Sequence, residues 1–183
     1  MRSFNFDEIK ESGTAIAAGN YACRVVGADD NPGKEYVKMA MEVASGPESG
    51  YKFDYYVSYK VEAAGMLKAR LHALSDSNAG FDAEAAWNAG MLPLFLGKSV
   101  GVCFNEEEWR GNDGVIRCSA KAGAMLDAAK VMDGSAKAPR RKGVDGKWRD
   151  VGDMSPEMAA QEGAACQPAQ HSYGYGYDAS VPF

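Results

Sequence analysis

Arg24, Tyr36, Lys38, Lys52, Tyr56 and Arg117 share a context: each lies in a run of alternating character, on the parity opposite the run's main apolar face. In a strand, that alternation sends them to the face away from the core. A sheet face carrying cations and aromatic rings together has a definite chemistry. Lys and Arg track phosphate groups, and aromatic rings offer planes on which bases stack, for about 1–3 kcal/mol per base. Such a face would hold a single-stranded polynucleotide with little regard to its sequence. Trp109 and Arg110 are of the same kind, since both side chains stack on bases. They fall in Glu106-Glu107-Glu108-Trp109-Arg110-Gly111, read as the loop joining the fourth and fifth strands. The three adjacent acids are read as a solvated part of that loop and not as a metal site, because consecutive side chains do not converge on one point. Taken singly, each of these residues is also what the wet side of a half-buried sheet contains.

The elements that must position these side chains follow from period and punctuation. Tyr21, Cys23 and Val25 alternate with Arg24 and predict a first strand over 20–29. Asp30-Asn31-Pro32-Gly33 is a turn signal. A second strand over 34–44 sets Val37, Met39, Met41 and Val43 against Tyr36, Lys38 and Glu42. After a turn at 45–50, a third strand over 51–59 places Tyr51, Phe53, Tyr55, Val57 and Tyr59 inward and Lys52, Asp54 and Tyr56 outward. Ala64, Leu67, Leu71 and Leu74 then recur at helical spacing, and Asp82 is a good N-cap for a short second helix. Alternation returns at 98–105 and, past the hairpin-type turn Asn112-Asp113-Gly114, at 114–121, with a closing helix over 122–132. Turns too short for a crossover require the first three strands to pair antiparallel. Three strands, a helix and two strands predict a mainly β domain over 1–132, a five-stranded antiparallel barrel of the OB type with a helix between strands three and four. A ferredoxin-like order does not fit, and an SH3-like barrel does not need the helical insert.

Residues 133–183 are read as a flexible tail, too poor in apolar side chains to offset the entropy of ordering. A small hairpin around Asp145-Gly146 is the exception. Residues 137–149 hold six basic side chains against Asp145 alone, whereas 151–183 hold no Lys or Arg and the acids Asp153, Glu157, Glu162 and Asp178. Alternation of charge blocks is typical of interaction tails. The basic segment, Arg140-Arg141-Lys142 with Lys147-Trp148-Arg149, offers further phosphate contacts or a hold on the acidic end.

A net charge of −5 argues against a general basic coat for duplex DNA but not against a local groove. No run of 18 or more apolar residues predicts a membrane helix, and the N-terminus lacks a signal-peptide stretch. Cys23, Cys103, Cys118 and Cys166 are widely spaced, with no Cys-x-x-Cys. That spacing predicts neither a zinc site nor a disulfide framework, and with them a reducing, cytoplasmic setting. Catalysis finds little support: the histidines are His72 and His171, and no nucleophile elbow, P-loop or zinc-protease motif is present. No cofactor or metal is expected.

The chain ends Tyr177-Asp178-Ala179-Ser180-Val181-Pro182-Phe183. With the strand order and the Gly/Pro/Gln-rich linker, this ending resembles the bacterial and phage single-stranded-DNA-binding proteins, and the phage-encoded members most. The resemblance implies an OB fold that binds single-stranded DNA without catalysis in replication, recombination or repair. It also implies a tip, here Asp178, Val181, Pro182 and Phe183, that recruits replication or recombination proteins. The tip departs from the family in carrying one acid, Asp178, where several are usual, so docking on a basic partner pocket is either weaker or rests on Tyr173, Tyr175 and Tyr177 instead. Self-association stays open. Two competing readings are a Mg-dependent nuclease, for which Asp54 and the triple Glu imitate a carboxylate set without a matching lysine, and an adaptor that binds no nucleic acid.

Overall fold

The alternating runs form the strands predicted from them. The computed structural model describes residues 16–161 and 166–167. Strands β1 (Gly19–Asn31), β2 (Tyr36–Val43) and β3 (Lys52–Ser58) make an antiparallel meander. A single turn of 3-10 helix leads into α1 (Ala64–Asp76), and α2 (Ala83–Asn88) follows, its N-terminus capped by Asp82 accepting from the Ala85 N–H at 2.9 Å. Strands β4 (Ser99–Arg110) and β5 (Ile116–Leu126) then form a long hairpin, with β4 antiparallel to β1. The order along the sheet is β3-β2-β1-β4-β5.

Burial follows parity. Val37, Met39, Met41 and Val43 of β2 face inward, as do Phe53, Tyr55 and Val57 of β3. Leu71 and Leu74 of α1, Phe95, and Val100, Val102 and Phe104 of β4 complete the core. Phe53 meets Phe104 edge to face at 4.9 Å, a geometry that adds about 0.5–1.5 kcal/mol to simple burial.

The five-stranded barrel is not closed by backbone pairing: among the described residues no ladder joins β3 to β5. Side chains bridge the seam instead. The Tyr55 hydroxyl donates to the Gly123 carbonyl at 2.5 Å and accepts from Arg70 Nε at 3.1 Å. The seam opens to a cavity of about 320 Å³ lined by Tyr51, Phe53, Tyr56, Phe104, Lys121 and neighbours.

The sheet is also larger than expected, with eight strands among the described residues. β4 runs five residues past the predicted end at 105, so Glu106 to Arg110 are strand and not loop. The predicted helix over 122–132 gives up its first half to β5, and only α3 (Ala128–Met132) is helical. Alternation of hydrophobicity fails at both places. Glu106 and Glu108 occupy inward positions that an apolar residue usually marks, and Ala122-Gly123-Ala124 suits either conformation, so pairing with β4 decides. α3 packs on the outer side of β4, where a Cβ at Gly101 would meet the Val131 side chain at 2.6 Å. Glycine there allows the close approach.

Packed structure continues past the boundary expected at 132. β6 (Arg140–Lys142) pairs parallel to β4, β7 (Trp148–Asp150) returns as its hairpin partner, and α4 (Pro156–Ala159) follows. Met158 is fully buried against Ile116 and Cys118, with Val144 and Met154 around it. The hairpin around Asp145-Gly146 is as predicted; its attachment is not. Arg141 is 2 % exposed, its guanidinium beside the carboxylates of Glu106 (2.5 Å) and Glu108 (3.8 Å). Glu108 also accepts from the Ser155 N–H at 2.9 Å and the Val144 N–H at 3.2 Å. Opposite charges, paired in a second small core, do here what apolar composition did not predict.

β8 (Cys166–Gln167) adds to the far edge of β5, parallel to it, with Cys118 opposite Cys166 and Ser119 opposite Gln167. Cys118 is disulfide-bonded, contrary to the expectation from cysteine spacing, because separation along the chain says nothing of strand register. The cytoplasmic reading loses that support. Cys23 and Cys103 are free thiols, and burial pushes Cys23 to about 12, which leaves it inert. No described helix is long and apolar enough to cross a membrane.

Candidate nucleic-acid interface

Strand pairing brings five of the predicted residues onto one surface. Arg24 lies opposite Glu42, Glu42 opposite Lys52, and Lys38 opposite Tyr56. Tyr36, one pair further along, meets Tyr56 edge to face with ring centroids 5.1 Å apart. Tyr56 is half exposed. Burial, then Asp54 and Tyr36, push its phenol up, so it stays neutral and presents a face for stacking. Antiparallel register alone sets this pair: both residues are outward on adjacent strands, within reach of each other.

The cations on this face are not bare. Arg24 and Lys52 flank Glu42 at 3.9 and 3.8 Å, and Lys38 lies 3.6 Å from Asp54. Exposed pairs of this kind contribute at most about 1 kcal/mol, so a phosphate can replace either carboxylate. Sequence reading placed Glu42 and Asp54 on the same face but not as partners of these cations, which cross-strand register makes them. Glu42→Gln and Asp54→Asn are therefore expected to raise affinity for a single-stranded oligonucleotide about threefold to tenfold. Each is also expected to steepen the salt dependence as a cation is freed for phosphate. Anisotropy titrations at two salt concentrations read both. Unchanged or weakened binding would place the strand elsewhere.

Trp109 and Arg117 form a second group. They face each other across the β4–β5 hairpin, with the Arg117 guanidinium 5.5 Å from the Trp109 ring centroid. Asp113 holds Arg117 with two hydrogen bonds, 2.9 and 2.5 Å, which together with the Val115 N–H lower the Asp113 carboxyl to about 2. Trp109 is open to solvent, but Arg117 is a tethered cation. Arg110 departs from the prediction: it lies in β4, on the opposite parity from Trp109, and is paired with Glu157 of α4 at 2.9 Å. The first group and this one are not continuous, because α3 covers Gly101 on the stretch of β4 between them.

The triple Glu is likewise not a solvated loop. Glu106 and Glu108 turn in to Arg141, while Glu107 turns out to Lys121 at 2.8 Å and Lys142 at 3.8 Å. Of the basic segment, Arg141 is spent on this inner pairing and Arg149 is clamped by Asp145, leaving Trp148 as its exposed ring.

One feature was readable and missed. Gly111-Asn112-Asp113-Gly114-Val115-Ile116-Arg117 and Gly143-Val144-Asp145-Gly146-Lys147-Trp148-Arg149 repeat one pattern, Gly-x-Asp-Gly-x-x-Arg. Both form the same hairpin. In each, the aspartate accepts from the N–H two residues on, Val115 or Lys147, and forks to the arginine four residues on. Gly114 and Gly146 take φ of 78° and 75°, where glycine is favoured. The tip residues Asp178, Val181, Pro182 and Phe183 lie outside the described residues. No protein-family model matches the chain, and no curated protein matches it.

Proposed function

We propose that this protein binds single-stranded DNA, without catalysis and with little sequence preference, on the outer face of β1, β2 and β3. The observation that carries the reading is the Tyr36–Tyr56 pair, Tyr56 half exposed and Tyr36 partly buried against it, with Lys38 beside it and Arg24 and Lys52 further along the same face. Rings that stack and cations that track phosphates are the two components this task needs. The architecture supports it. A meander whose first strand also pairs β4, with a helix between β3 and β4, is the arrangement of an OB fold. That fold is a partly open Greek-key barrel whose second and third strands form the binding face. Trp109 and Arg117, paired on β4 and β5 next to their hairpin turn, stand beside the loop that such folds use to flank the strand.

The tip is read as a recruiting element. Residues 150–183 hold no Lys or Arg and several acids, so they repel phosphate, while Val181, Pro182 and Phe183 suit an apolar pocket on a replication or recombination protein. Tethering raises the effective concentration of that partner at the DNA. Deleting Ser180 to Phe183 is expected to leave DNA affinity unchanged or slightly raised and to abolish docking. Oligonucleotide titration beside capture of a purified recombination partner reads both. A deletion that removes DNA binding would make the tip part of the DNA site.

The reading itself is tested by titrating labelled single-stranded and duplex oligonucleotides over a range of salt, with and without Mg²⁺. Preference for the single strand and a steep fall with salt are expected. Equal affinity for duplex, no binding, or Mg²⁺-dependent cleavage would each overturn it, the last in favour of a nuclease.

A further inference from the structure

β6 and β7 widen the sheet on the far side of β4, and strand register carries one outward parity across them. Arg117 of β5 lies opposite Trp109 of β4, Glu107 of β4 opposite Lys142 of β6, and Lys142 opposite Trp148 of β7. The other parity, with Glu106, Glu108 and Arg141, turns inward. The outward one therefore gathers two indole rings, Trp109 at 41 % and Trp148 at 47 % exposure, with Lys142 between their strands and Arg140 one outward position before it.

We propose that the outer face of β4, β6 and β7 is a second platform for single-stranded DNA, on which bases stack on Trp109 and Trp148 while Lys142 and Arg140 take the phosphates between them. This rests on the single-strand reading for its ligand, but on none of the residues of the β1–β3 face, from which α3 separates it. Rings and cations on one surface are again the two components that sequence-tolerant binding needs. The charges are in the right state. Glu107 answers both Lys121 at 2.8 Å and Lys142 at 3.8 Å, so its single charge cannot neutralise the two. Arg140 pairs with no carboxylate among the described residues; its guanidinium donates to the Trp148 carbonyl at 2.9 Å, which fixes the cation beside that residue.

The spacing also fits. Trp148 lies two strands over from Glu107, about 9.6 Å, and Trp109 two residues along β4, about 6.8 Å, so the two rings are rooted about 12 Å apart. A stacked strand covers that in about three or four nucleotides at about 3.4 Å each. Between Trp109 and the β6–β7 turn lies a cavity of about 390 Å³, lined also by Lys142, Gly143 and Gly146, and the two glycines put no side chain into it. Glu157 at its rim is already answered by Arg110 at 2.9 Å. A base on Trp109 has room there.

Tryptophan emission reports on this face and not on the other. Of the three tryptophans, Trp87 packs on the core against Phe95 and Tyr59, and β1, β2 and β3 carry none. The full chain is titrated with oligothymidylate of about eight nucleotides, short enough for one face, with labelled-oligonucleotide anisotropy in parallel. Expected is quenching of the emission, kept in a Tyr36→Ala, Tyr56→Ala double variant. Trp148→Ala should weaken the binding read from Trp109 about fivefold to 150-fold, and Trp148→Phe should restore most of it. Lys142→Gln should lower the salt slope of the quenching by about one. Anisotropy that shows binding while the emission stays constant overturns the second platform and leaves the β1–β3 face standing. So does quenching that Trp148→Ala and Lys142→Gln leave unchanged. Full quenching with unaltered total affinity in the double tyrosine variant overturns the β1–β3 face and not this one, and no binding by either probe overturns both. If Trp148→Ala loosens the hairpin, the Trp148→Phe and Lys142→Gln titrations decide.

Discussion

Arg141→Ala is expected to cost about 3–5 kcal/mol of stability, the usual result of removing one partner from a buried ion pair. Arg141 is almost fully enclosed and, among the described residues, is the one cation paired with both Glu106 and Glu108. Without it, two carboxylates with side chains 12 % and 0 % exposed are left beside each other. The loss should appear first where the pair does its holding. β6, β7 and α4 sit on β4 through Arg141, through Val144 and Ser155 bonded to Glu108, and through Met158. Limited proteolysis within 140–158 should therefore accelerate before the β1–β3 meander is attacked. Glu107→Gln is the control, since its pairs with Lys121 and Lys142 are solvent-exposed and contribute about 0–1 kcal/mol. Urea denaturation of the three proteins at neutral pH measures the difference. A cost for Arg141→Ala below about 1 kcal/mol would show that water reaches the triad.

The second large effect separates binding from folding on two neighbouring strands. Tyr36→Ala and Tyr56→Ala are each expected to weaken single-strand binding by about 1–3 kcal/mol, roughly fivefold to 150-fold, with little change in melting. The double variant should lose less than the sum, because the rings pack on each other and each single change already disturbs its neighbour. Phe53→Ala should do the reverse. It sits on the inward parity of the same strand as Tyr56, against Phe104 and Tyr51, and truncating a buried ring costs about 3–5 kcal/mol. Anisotropy titrations beside thermal melts decide it. If the tyrosine variants melt the domain and residual affinity is intact, the two faces of the sheet have been exchanged.

Period-two alternation in 20–59 was enough to place both faces of β1, β2 and β3, and so to choose Arg24, Tyr36, Lys38, Lys52 and Tyr56 as outward residues. Apolar and polar side chains alternate there, cleanly in β2 and β3 and as far as the bulge at Val25–Gly27 in β1, because one side of the sheet meets the core and the other meets water. The Asp82 cap and the Asp145-Gly146 turn were legible for a similar reason, since each acts within four residues of itself. The repeated Gly-x-Asp-Gly-x-x-Arg hairpin was legible too, as a pattern that compares the chain with itself.

Tertiary structure alone decided what depends on partners distant in sequence. Glu106 and Glu108 look solvated until Arg141, 35 residues away, is laid against Glu106; buried charge is invisible to a reading that equates burial with apolar character. Arg110 looks like a base-stacking cation until α4 brings Glu157 to it. The carboxylates that neutralise the outer face of β1, β2 and β3, Glu42 and Asp54, become its counter-ions only through cross-strand register. The closure of the barrel depends on the same thing: no local signal says whether β3 and β5 meet each other, and in the fold side chains bridge them where a ladder would. Local alternation sets which way a side chain points, and long-range register sets what it points at.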